Sequence, residues 1–265
     1  MNNASTREIS PDVYSADYLL NCVEGFGDFK RGELSVVKSK EFELLDVHSG
    51  MKVLDVGFGR GDFLFHCAKR GANIFGVDYS ATALGIAQNY LSAYQADLRL
   101  ADARALPFTD NFFDRVCAGD VIEHINRPGA IKALQEMNRV LKPGGILLLH
   151  TTPNTVFTSF TYPVIRPILK LINRSAVKEV DYHLSLRPRF HIDEHNLFSL
   201  KGLLRSAGLN EAQVWIDRDI MRSGVHCLTS QFSHNWLGKI INPLGRFWII
   251  RFFFGNDLYA LYGKK

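Results

Sequence analysis

The sequence is poor in the features that mark a secreted or membrane-spanning chain. Of its 265 residues only four are cysteines, at positions 22, 67, 117 and 227, and none forms a C-x-x-C pair. The first residues, MNNASTREISPD, lack the apolar core of a signal peptide. The longest apolar stretch, 244–254, is interrupted by Arg246 and Arg251 and is shorter than the roughly 20 residues that a spanning helix needs. We therefore expect a cytoplasmic protein with reduced cysteines.

A strong excess of one charge is also absent. Lysine and arginine number 31 and aspartate and glutamate 27, which gives a net charge of +4. This is far from the one-sided positive charge of a nucleic-acid-binding protein, and we expect no nucleic-acid partner. Hydrophobic residues make up 46% of the chain and charged residues 22%, which excludes a disordered chain. This length and composition predict one elaborated α/β domain.

Between residues 50 and 152, short apolar runs alternate with helical patterns, which is typical of parallel strands joined by helices. Strands are predicted in MKVLDVGFG, NIFGVD, LRLAD, FDRVCAGD, ILLLHTT, AQVWID and DLYALYGKK. Helices are predicted to be capped at Asp62 and Ser80, to open at Pro128, and to run from Asp193 to Gly208. We divide the chain into an N-terminal cap segment, 1–49, a cofactor-binding half, 50–153, and two lid insertions, 154–190 and 218–255.

A glycine-rich turn, Gly57-Phe58-Gly59-Arg60-Gly61, follows the first predicted strand. Glycines there let the backbone turn tightly and approach a ligand that a Cβ would push away, so a nucleotide-like cofactor is expected. The dinucleotide-binding fingerprint needs its third glycine or alanine where this chain has Asp62, and that carboxylate would repel a pyrophosphate. The turn therefore favours a cofactor without phosphate.

Acidic residues end the next two predicted strands. Asp78 ends the second, where its two oxygens can accept hydrogen bonds from both hydroxyls of a ribose. Asp102 ends the third, where it can accept a hydrogen bond from the exocyclic amine of an adenine, with the backbone of Ala103 nearby. Together with Asp55, these carboxylates suit a cationic cofactor.

Five motifs occur in a fixed order: D-x-G-x-G-x-G at 55–61, GVDYS at 76–80, ADARALPF at 101–108, NFFDRV with VIEHI between 111 and 125, and LKPGG at 141–145. In this order and spacing, residues 50–152 resemble the class I S-adenosylmethionine-dependent methyltransferases that act on small molecules, a type 11-like bacterial family. The resemblance implies a seven-stranded Rossmann-like sheet with helices on both faces. It also implies S-adenosyl-L-methionine as the cofactor and a methyltransferase activity.

The resemblance also implies roles for individual positions. Gly57, Gly59 and Gly61 would line the methionine part of the cofactor, with Asp55 beside them. Asp78 would bind the ribose, Tyr79 would flank the adenine ring, and Asp102 and Ala103 would bind the edge of that ring. Gly119 and Asp120 would border the sulfonium. The stretch DVYSADYLLNCVEG resembles the leading segment of bacterial members found with glycan and lipid biosynthesis. Within it, Tyr18 is a predicted acceptor-binding residue.

The methyl group of a sulfonium is already activated, so the protein mainly has to hold a nucleophile in line with the S–CH3 bond. A base would help if the acceptor is a hydroxyl. The candidates are Glu123 and His124 after the fourth strand and His150 on the fifth. Each has a structural alternative, since Glu123 and His124 could brace the following segment and His150 could be a buried core histidine.

The run from His191 to His195 spells H-x-x-E-H, which on one helix would suggest a zinc peptidase. Here Asp193 is a predicted helix cap inside the run, so we interpret His191 as part of the acceptor pocket wall. Asp120 and Asn154 could be imagined to hold a magnesium ion, but further ligands are not apparent. We expect no metal.

Both lid insertions should lie over the acceptor site, and both are rich in aromatic, aliphatic and basic residues. They predict a sizeable acceptor that is amphipathic or anionic, a hydroxyl or amine of a glycan- or lipid-related intermediate. The stretch around 240–254 predicts peripheral contact with the inner face of the membrane, with an ordinary lid helix as the alternative.

Three other functions stay open. A nucleic-acid methyltransferase is one, although base-amine enzymes place an N/D-P-P-aromatic run where this chain has Gly119-Asp120-Val121-Ile122. A nicotinamide oxidoreductase is disfavoured by the glycine spacing and by Asp62. A non-catalytic cofactor-binding protein is compatible with the sequence.

Overall fold

A computed structural model describes residues 7–218 and 242–265, and its centre is one seven-stranded sheet. The strands are β1 (Lys52–Val56), β2 (Asn73–Asp78), β3 (Ala96–Leu100), β4 (Phe113–Gly119), β5 (Leu141–Thr151), β6 (Gln213–Ile216) and β7 (Leu258–Gly263). The spatial order is β3-β2-β1-β4-β5-β7-β6. Strands β1 to β5 are parallel, whereas β7 runs antiparallel to both β5 and β6.

Helices cover both faces of the sheet. They are α1 (Ala16–Asn21), α2 (Phe26–Arg31), α3 (Val36–Leu45), α4 (Asp62–Lys69), α5 (Ala81–Tyr90), α6 (Arg127–Val140), α7 (Tyr162–Ile172), α8 (Arg174–Phe190), α9 (Leu197–Ser206) and α10 (Trp248–Phe254). The predicted α/β class with a seven-stranded Rossmann-like sheet is thus confirmed.

Two hydrophobic clusters form because neighbouring strand residues point to opposite faces. On β1, Leu54 packs in the cluster that includes α6 and α9, whereas Val53 packs in the cluster that includes α4 and α5. On β4, Val116 and Cys117 divide in the same way. The central strands are therefore buried on both faces, as expected for a parallel sheet.

The strand order reverses between β1 and β4, so the connections after these two strands leave in opposite directions. In open α/β sheets this arrangement opens a crevice at the carboxyl ends of the strands, where ligands bind. The glycine turn follows β1 and Asp120 follows β4. Because β7 is antiparallel, the residue before it, Asp257, reaches the same edge of the sheet.

Several predicted boundaries differ from the structure. The fifth strand begins at Leu141 rather than at the predicted Ile146. Asp62 is the first residue of α4 rather than its cap, because Gly61 occupies the cap position. The third strand ends at Leu100 and leaves Asp102 in the following loop. The helix predicted from Asp193 begins at Leu197 with Asn196 as its cap, since the Asn196 side chain accepts hydrogen bonds from the N–H groups of the first turn.

The first predicted lid insertion contains α7 and α8, and the described part of the second contains α10. Most of the second, 219–241, lies outside the described residues, as does Cys227. The cysteines at 22, 67 and 117 are free thiols. Across 7–218 and 242–265, no helix has the length and apolar character that a membrane span requires.

Leu134 provides a test of the core between α6 and the sheet, because its side chain is fully buried. We expect Leu134→Ala to lower the free energy of unfolding by about 2 to 5 kcal/mol, since it leaves a cavity. Gln135→Ala on the exposed face of the same helix is the control and should change it little. Urea unfolding followed by circular dichroism measures both, and equal effects would contradict the described packing.

Candidate active site

A cavity of about 910 Å³ opens at the carboxyl ends of the strands. All but two of the predicted site residues line it: Tyr18, Gly57, Gly59, Asp78, Tyr79, Asp102, Ala103, Gly119, Asp120, Glu123, His124, His150 and His191. The cavity wall also includes residues of the N-terminal segment and of both lid insertions. Distant parts of the chain therefore meet at one site.

The glycine turn forms the wall next to β1. Gly57, Gly59 and Gly61 have φ angles of 77°, 54° and 82°, in the left-handed region that favours glycine. A Cβ on Gly57 would overlap the side chain of Val121, whereas a Cβ on Gly59 would meet no protein atom within 4 Å. The space beside Gly59 is therefore open to a ligand.

Asp78 fixes this turn from β2. Its Oδ2 accepts a hydrogen bond of 2.9 Å from the backbone N–H of Gly59, and its Oδ1 accepts one of 2.9 Å from Ser80. Burial raises the pKa of Asp78, against the effect of these hydrogen bonds. The carboxylate lies on the cavity wall with its position set by the backbone on both sides.

Arg60 connects the turn to the N-terminal segment. Its guanidinium lies 2.9 Å from the carboxylate of Asp62 and donates to the backbone oxygens of Leu19, Val23 and Glu24. The sequence suggested that Asp62 presents an isolated negative charge to the cavity. In the structure Asp62 instead forms a buried ion pair with Arg60. The turn and the N-terminal segment are held in one arrangement.

Asp102 and Ala103 lie beyond β3. Both carboxylate oxygens of Asp102 accept hydrogen bonds from the guanidinium of Arg104, at 2.6 to 3.0 Å. Burial alone would raise the pKa of Asp102, but the hydrogen bonds from Arg104 lower it. Arg104, for which no role was predicted, also forms an ion pair with Glu8.

His150 lies between two carboxylates at the floor of the cavity. Its Nδ1 is 3.1 Å from Oδ1 of Asp120, and its Nε2 is 3.1 Å from Oδ1 of Asp257. Burial lowers the pKa of His150, but Asp120 and Asp257 outweigh that effect and raise it to about 10. The imidazole is therefore a cation at neutral pH.

A buried ion pair lies below Gly119. Lys38 Nζ is 3.0 Å from a carboxylate oxygen of Glu41, and both groups occupy the space that a Cβ at position 119 would need. Glycine is required at this position because α3 brings the pair against the end of β4.

Glu123, His124 and His191 form a cluster in the cavity wall. Glu123 and His124 lie on a short turn after β4, and His191 follows α8. The backbone oxygen of Glu123 accepts hydrogen bonds from the N–H groups of Ile192 and Asp193, at 2.8 and 3.1 Å. One side-chain ligand atom of each cluster member lies within 4.8 Å of the others.

Burial shifts the pKa values of this cluster toward the neutral forms. It raises the pKa of Glu123, whose Oε2 accepts a hydrogen bond of 2.9 Å from the hydroxyl of Thr151. It lowers the pKa of His124, and it lowers that of His191 to about 3. Both imidazoles are therefore neutral at physiological pH.

Aromatic rings form the roof of the cavity. Tyr18 stacks on Phe190 with the ring centroids 4.4 Å apart, and Tyr14 contacts the rings of Tyr79, His124 and Phe190. The N-terminal segment and the end of α8 thus share one roof. Tyr14 lies in the stretch that pointed to Tyr18, but no sequence signal marked Phe190.

Two predicted site residues do not line the cavity. Asp55 is buried within β1, where burial raises its pKa to about 8. Gly61 faces α5, and a Cβ there would lie 3.2 Å from that of Ala87. Gly61 is needed for helix packing, and Asp55 lies in the core below the turn.

The comparisons with known proteins agree with this arrangement. Residues 54–149 match the model of a family described as a methyltransferase domain. A demethylmenaquinone methyltransferase of Staphylococcus carnosus is 31% identical over 206 residues, which are 74% of this chain and 80% of that protein. One of Bacillus licheniformis is 36% identical over 150 residues, 55% of this chain and 62% of that protein. The chain thus spans less than two thirds of the latter relative.

Solved structures share the fold at low sequence identity. An S-adenosylmethionine-dependent methyltransferase from Archaeoglobus fulgidus superposes with a TM-score of 0.56 at 19% identity, covering 86% of this chain and 93% of that one. The [4+2]-cyclase SpnF superposes with a TM-score of 0.60 at 16% identity, covering 100% and 99%. The second example is named for a different reaction, so the fold alone does not fix the activity.

The sheet order, the glycine turn and the similarity to the Staphylococcus carnosus protein over most of both chains point to the same family. The chain belongs to the class I S-adenosylmethionine-dependent methyltransferases.

Proposed function

We propose that this protein transfers the methyl group of S-adenosylmethionine to a small-molecule acceptor bound in the same cavity. The observation that carries the proposal is the meeting, in one cavity, of an open glycine turn, acidic strand ends and an apolar roof. The acidic residues suit a cationic nucleoside, and the apolar roof suits an uncharged part of the acceptor.

The residues present fit this cofactor. The open space at Gly59 accepts a chain that passes close to the backbone, and Asp78 has lone pairs left for ribose hydroxyls after its two backbone hydrogen bonds. The Ala103 backbone and Tyr79 line the same cavity and would hold the edge and the face of the adenine. Gly119 and Asp120 would then border the sulfonium.

When bound, S-adenosylmethionine supplies an activated methyl group. The protein then has to hold the acceptor in line with it and exclude water. The roof formed by Tyr14, Tyr18 and Phe190 would do both. His191 would form the adjoining pocket wall.

A base would have to come from the Glu123 and His124 wall. His124 is neutral because burial lowers its pKa, so it can accept a proton. His150 already carries two protons, and its cationic form fixes Asp120 and Asp257 rather than removing a proton. We therefore assign His150 a positioning role instead of the base role that the sequence suggested.

The acceptor is proposed to be lipid-related and largely apolar, with a polar reacting end. Inward-facing apolar residues of the lids support this: Ile165, Leu169, Ile250 and Phe254 line the cavity. A hydroxyl or amine is the first candidate. A ring carbon of a quinone-type compound is the second, because relatives are named demethylmenaquinone methyltransferases and, in Bordetella parapertussis, a ubiquinone/menaquinone biosynthesis C-methyltransferase.

Transfer from methyl-labelled S-adenosylmethionine tests this function. We expect label in an organic extract of bacterial membrane lipids or in added demethylmenaquinone. Label in RNA would favour the nucleic-acid alternative, and cofactor binding without any transfer would favour a non-catalytic protein. Binding of NAD instead would overturn the cofactor assignment.

Peripheral membrane contact is part of the proposal. The outward faces of α7 and α10 are apolar, with exposed side chains at Val164, Ile168, Leu171, Trp248 and Ile249. The two lids touch, since the Thr161 hydroxyl donates to the Phe253 carbonyl. Lys170 and Arg246 lie on the same segments and suit anionic headgroups. Positions 240–241 of the predicted stretch lie outside the described residues.

Gly59 is the sharpest test of the cofactor site. We expect Gly59→Arg to abolish detectable S-adenosylhomocysteine binding in calorimetry, because the new side chain would fill the open space beside the turn. Gly144→Arg is the matched control, since Gly144 is also left-handed and open but lies outside the cavity. Retained micromolar affinity in Gly59→Arg would contradict the assignment.

Asp78 tests the ribose contact. We expect Asp78→Ala to weaken S-adenosylhomocysteine binding by about 1.5 to 3 kcal/mol, since hydrogen bonds to a charged group are lost. Asp97→Ala on the neighbouring strand removes a half-buried carboxylate outside the cavity, paired with Arg99, and should leave the affinity unchanged. An unaltered dissociation constant in Asp78→Ala would place the ribose elsewhere.

Co-sedimentation with vesicles tests the membrane contact. At low salt, the protein should bind vesicles containing anionic lipid, and the double variant Leu171→Asp with Trp248→Asp should lose most of that binding because it places charges on the apolar face. Val36→Asp changes an exposed aliphatic residue on another helix and is the control. Equal binding by all three proteins, or none by the unmodified one, would refute the contact.

A further inference from the structure

The cluster of Glu123, His124 and His191 has the composition of a metal centre, although no sequence pattern predicted that these three residues meet. One carboxylate oxygen and one ring nitrogen from each histidine lie within 4.8 Å of one another. Two histidines and one carboxylate are a ligand set for divalent first-row transition metals. The H-x-x-E-H run contributes only its first histidine.

The histidine tautomers favour metal binding. The backbone oxygen of Phe190 lies 2.6 Å from Nδ1 of His124, and a carboxylate oxygen of Glu194 lies 2.8 Å from Nδ1 of His191. The Phe190 carbonyl and the Glu194 carboxylate only accept hydrogen bonds, so each Nδ1 carries the proton and each Nε2 carries the lone pair. The Tyr14 hydroxyl, 3.1 Å from Nδ1 of His124, then accepts rather than donates at that nitrogen. Metal-binding histidines are oriented in this way by a carbonyl or carboxylate on the other nitrogen.

Glu123 provides the independent observation. Its side chain is 1% exposed, and within the described residues its Oε1 has no hydrogen-bond partner, whereas its Oε2 is bonded to Thr151. A buried carboxylate oxygen without a partner is unfavourable. Oε1 lies 3.9 Å from Nε2 of His124, so an ion placed between them would satisfy both atoms.

The backbone holds the three ligands together across a long sequence separation. The N–H groups of Ile192 and Asp193 donate to the Glu123 carbonyl, which fixes the loop bearing His191 against the turn bearing Glu123 and His124. Arg187 forms an ion pair with Glu194 and so fixes the carboxylate that orients His191. The arrangement is therefore built into the fold.

We propose that Glu123, His124 and His191 bind one divalent transition-metal ion. All three residues line the cavity, so positions on the ion that the protein does not fill face the acceptor space. An oxygen of the acceptor, such as a hydroxyl or an enolic oxygen, is the expected additional ligand. With the ion bound, Nε2 of His124 would be a ligand and not a base, and the ion would lower the pKa of the acceptor oxygen in place of the base role proposed for His124 above. This last role rests on the proposed function, whereas the ion site itself does not.

The test is titration of the full chain, without a histidine tag and after removal of metals with a chelator. We expect one Zn²⁺ per chain, with a dissociation constant on the order of 1 µM or tighter, and visible d–d absorption when Co²⁺ is bound. Glu123→Gln and His191→Gln should each weaken Zn²⁺ binding at least about 100-fold, and Glu194→Gln, which only alters an orienting residue, by about 10-fold.

His48→Gln changes an exposed histidine on another surface and should bind Zn²⁺ as the unmodified protein does. Melting temperatures close to that of the unmodified protein establish that the variants are folded. Absence of stoichiometric Zn²⁺ binding would overturn the proposal, as would equal affinity in the Glu123 and His191 variants. S-adenosylhomocysteine binding is measured separately, so a failed cofactor assignment and a failed metal assignment give different results.

Discussion

The left-handed backbone of the glycine turn is the constraint on which the rest of the site depends. Gly59 can donate its N–H to Asp78 only because the chain folds back directly after β1. The same turn directs Arg60 toward the N-terminal segment, where its guanidinium donates hydrogen bonds to three backbone carbonyls. One local conformation therefore places both the cofactor wall and the segment that carries Tyr14 and Tyr18.

Buried charge is the second organising feature, and three of the buried charged groups around the cavity are paired with opposite charges. Lys38 lies against Glu41, Arg60 against Asp62, and His150 between two carboxylates. Removing charges from water is costly, so such pairs contribute little net stability. Their role here is to fix positions: the Lys38–Glu41 pair packs α3 against Gly119, and Asp257 brings the segment before β7 to His150.

Features that depend on residues close together in the sequence could be predicted from it. The strands, the glycine turn and Asp78 follow from spacing along the chain, because parallel strands bring their carboxyl ends to one edge. The prediction of a helix cap at Asp193 was wrong, because two residues with capping side chains lie close together in the sequence and Asn196 is the actual cap. The sequence could not place Phe190 on Tyr18 or Asp257 on His150, since those contacts join residues more than 100 positions apart and depend on how α8 and β7 pack.

The two sides of the cavity differ in how they are built, and that difference bears on chemistry. The floor consists of strand ends, whose positions the backbone hydrogen bonds of the sheet fix, and it carries the charges. The roof consists of aromatic rings and lid helices, whose contacts are apolar and less directional. A fixed polar floor can hold a constant cofactor while an apolar roof varies with the acceptor. Within this plan Glu123 is the exception, since it is a deeply buried carboxyl on the proposed acceptor side. A carboxyl kept there needs a polar or cationic partner, so the proposed acceptor wall would have a chemical role beyond shape.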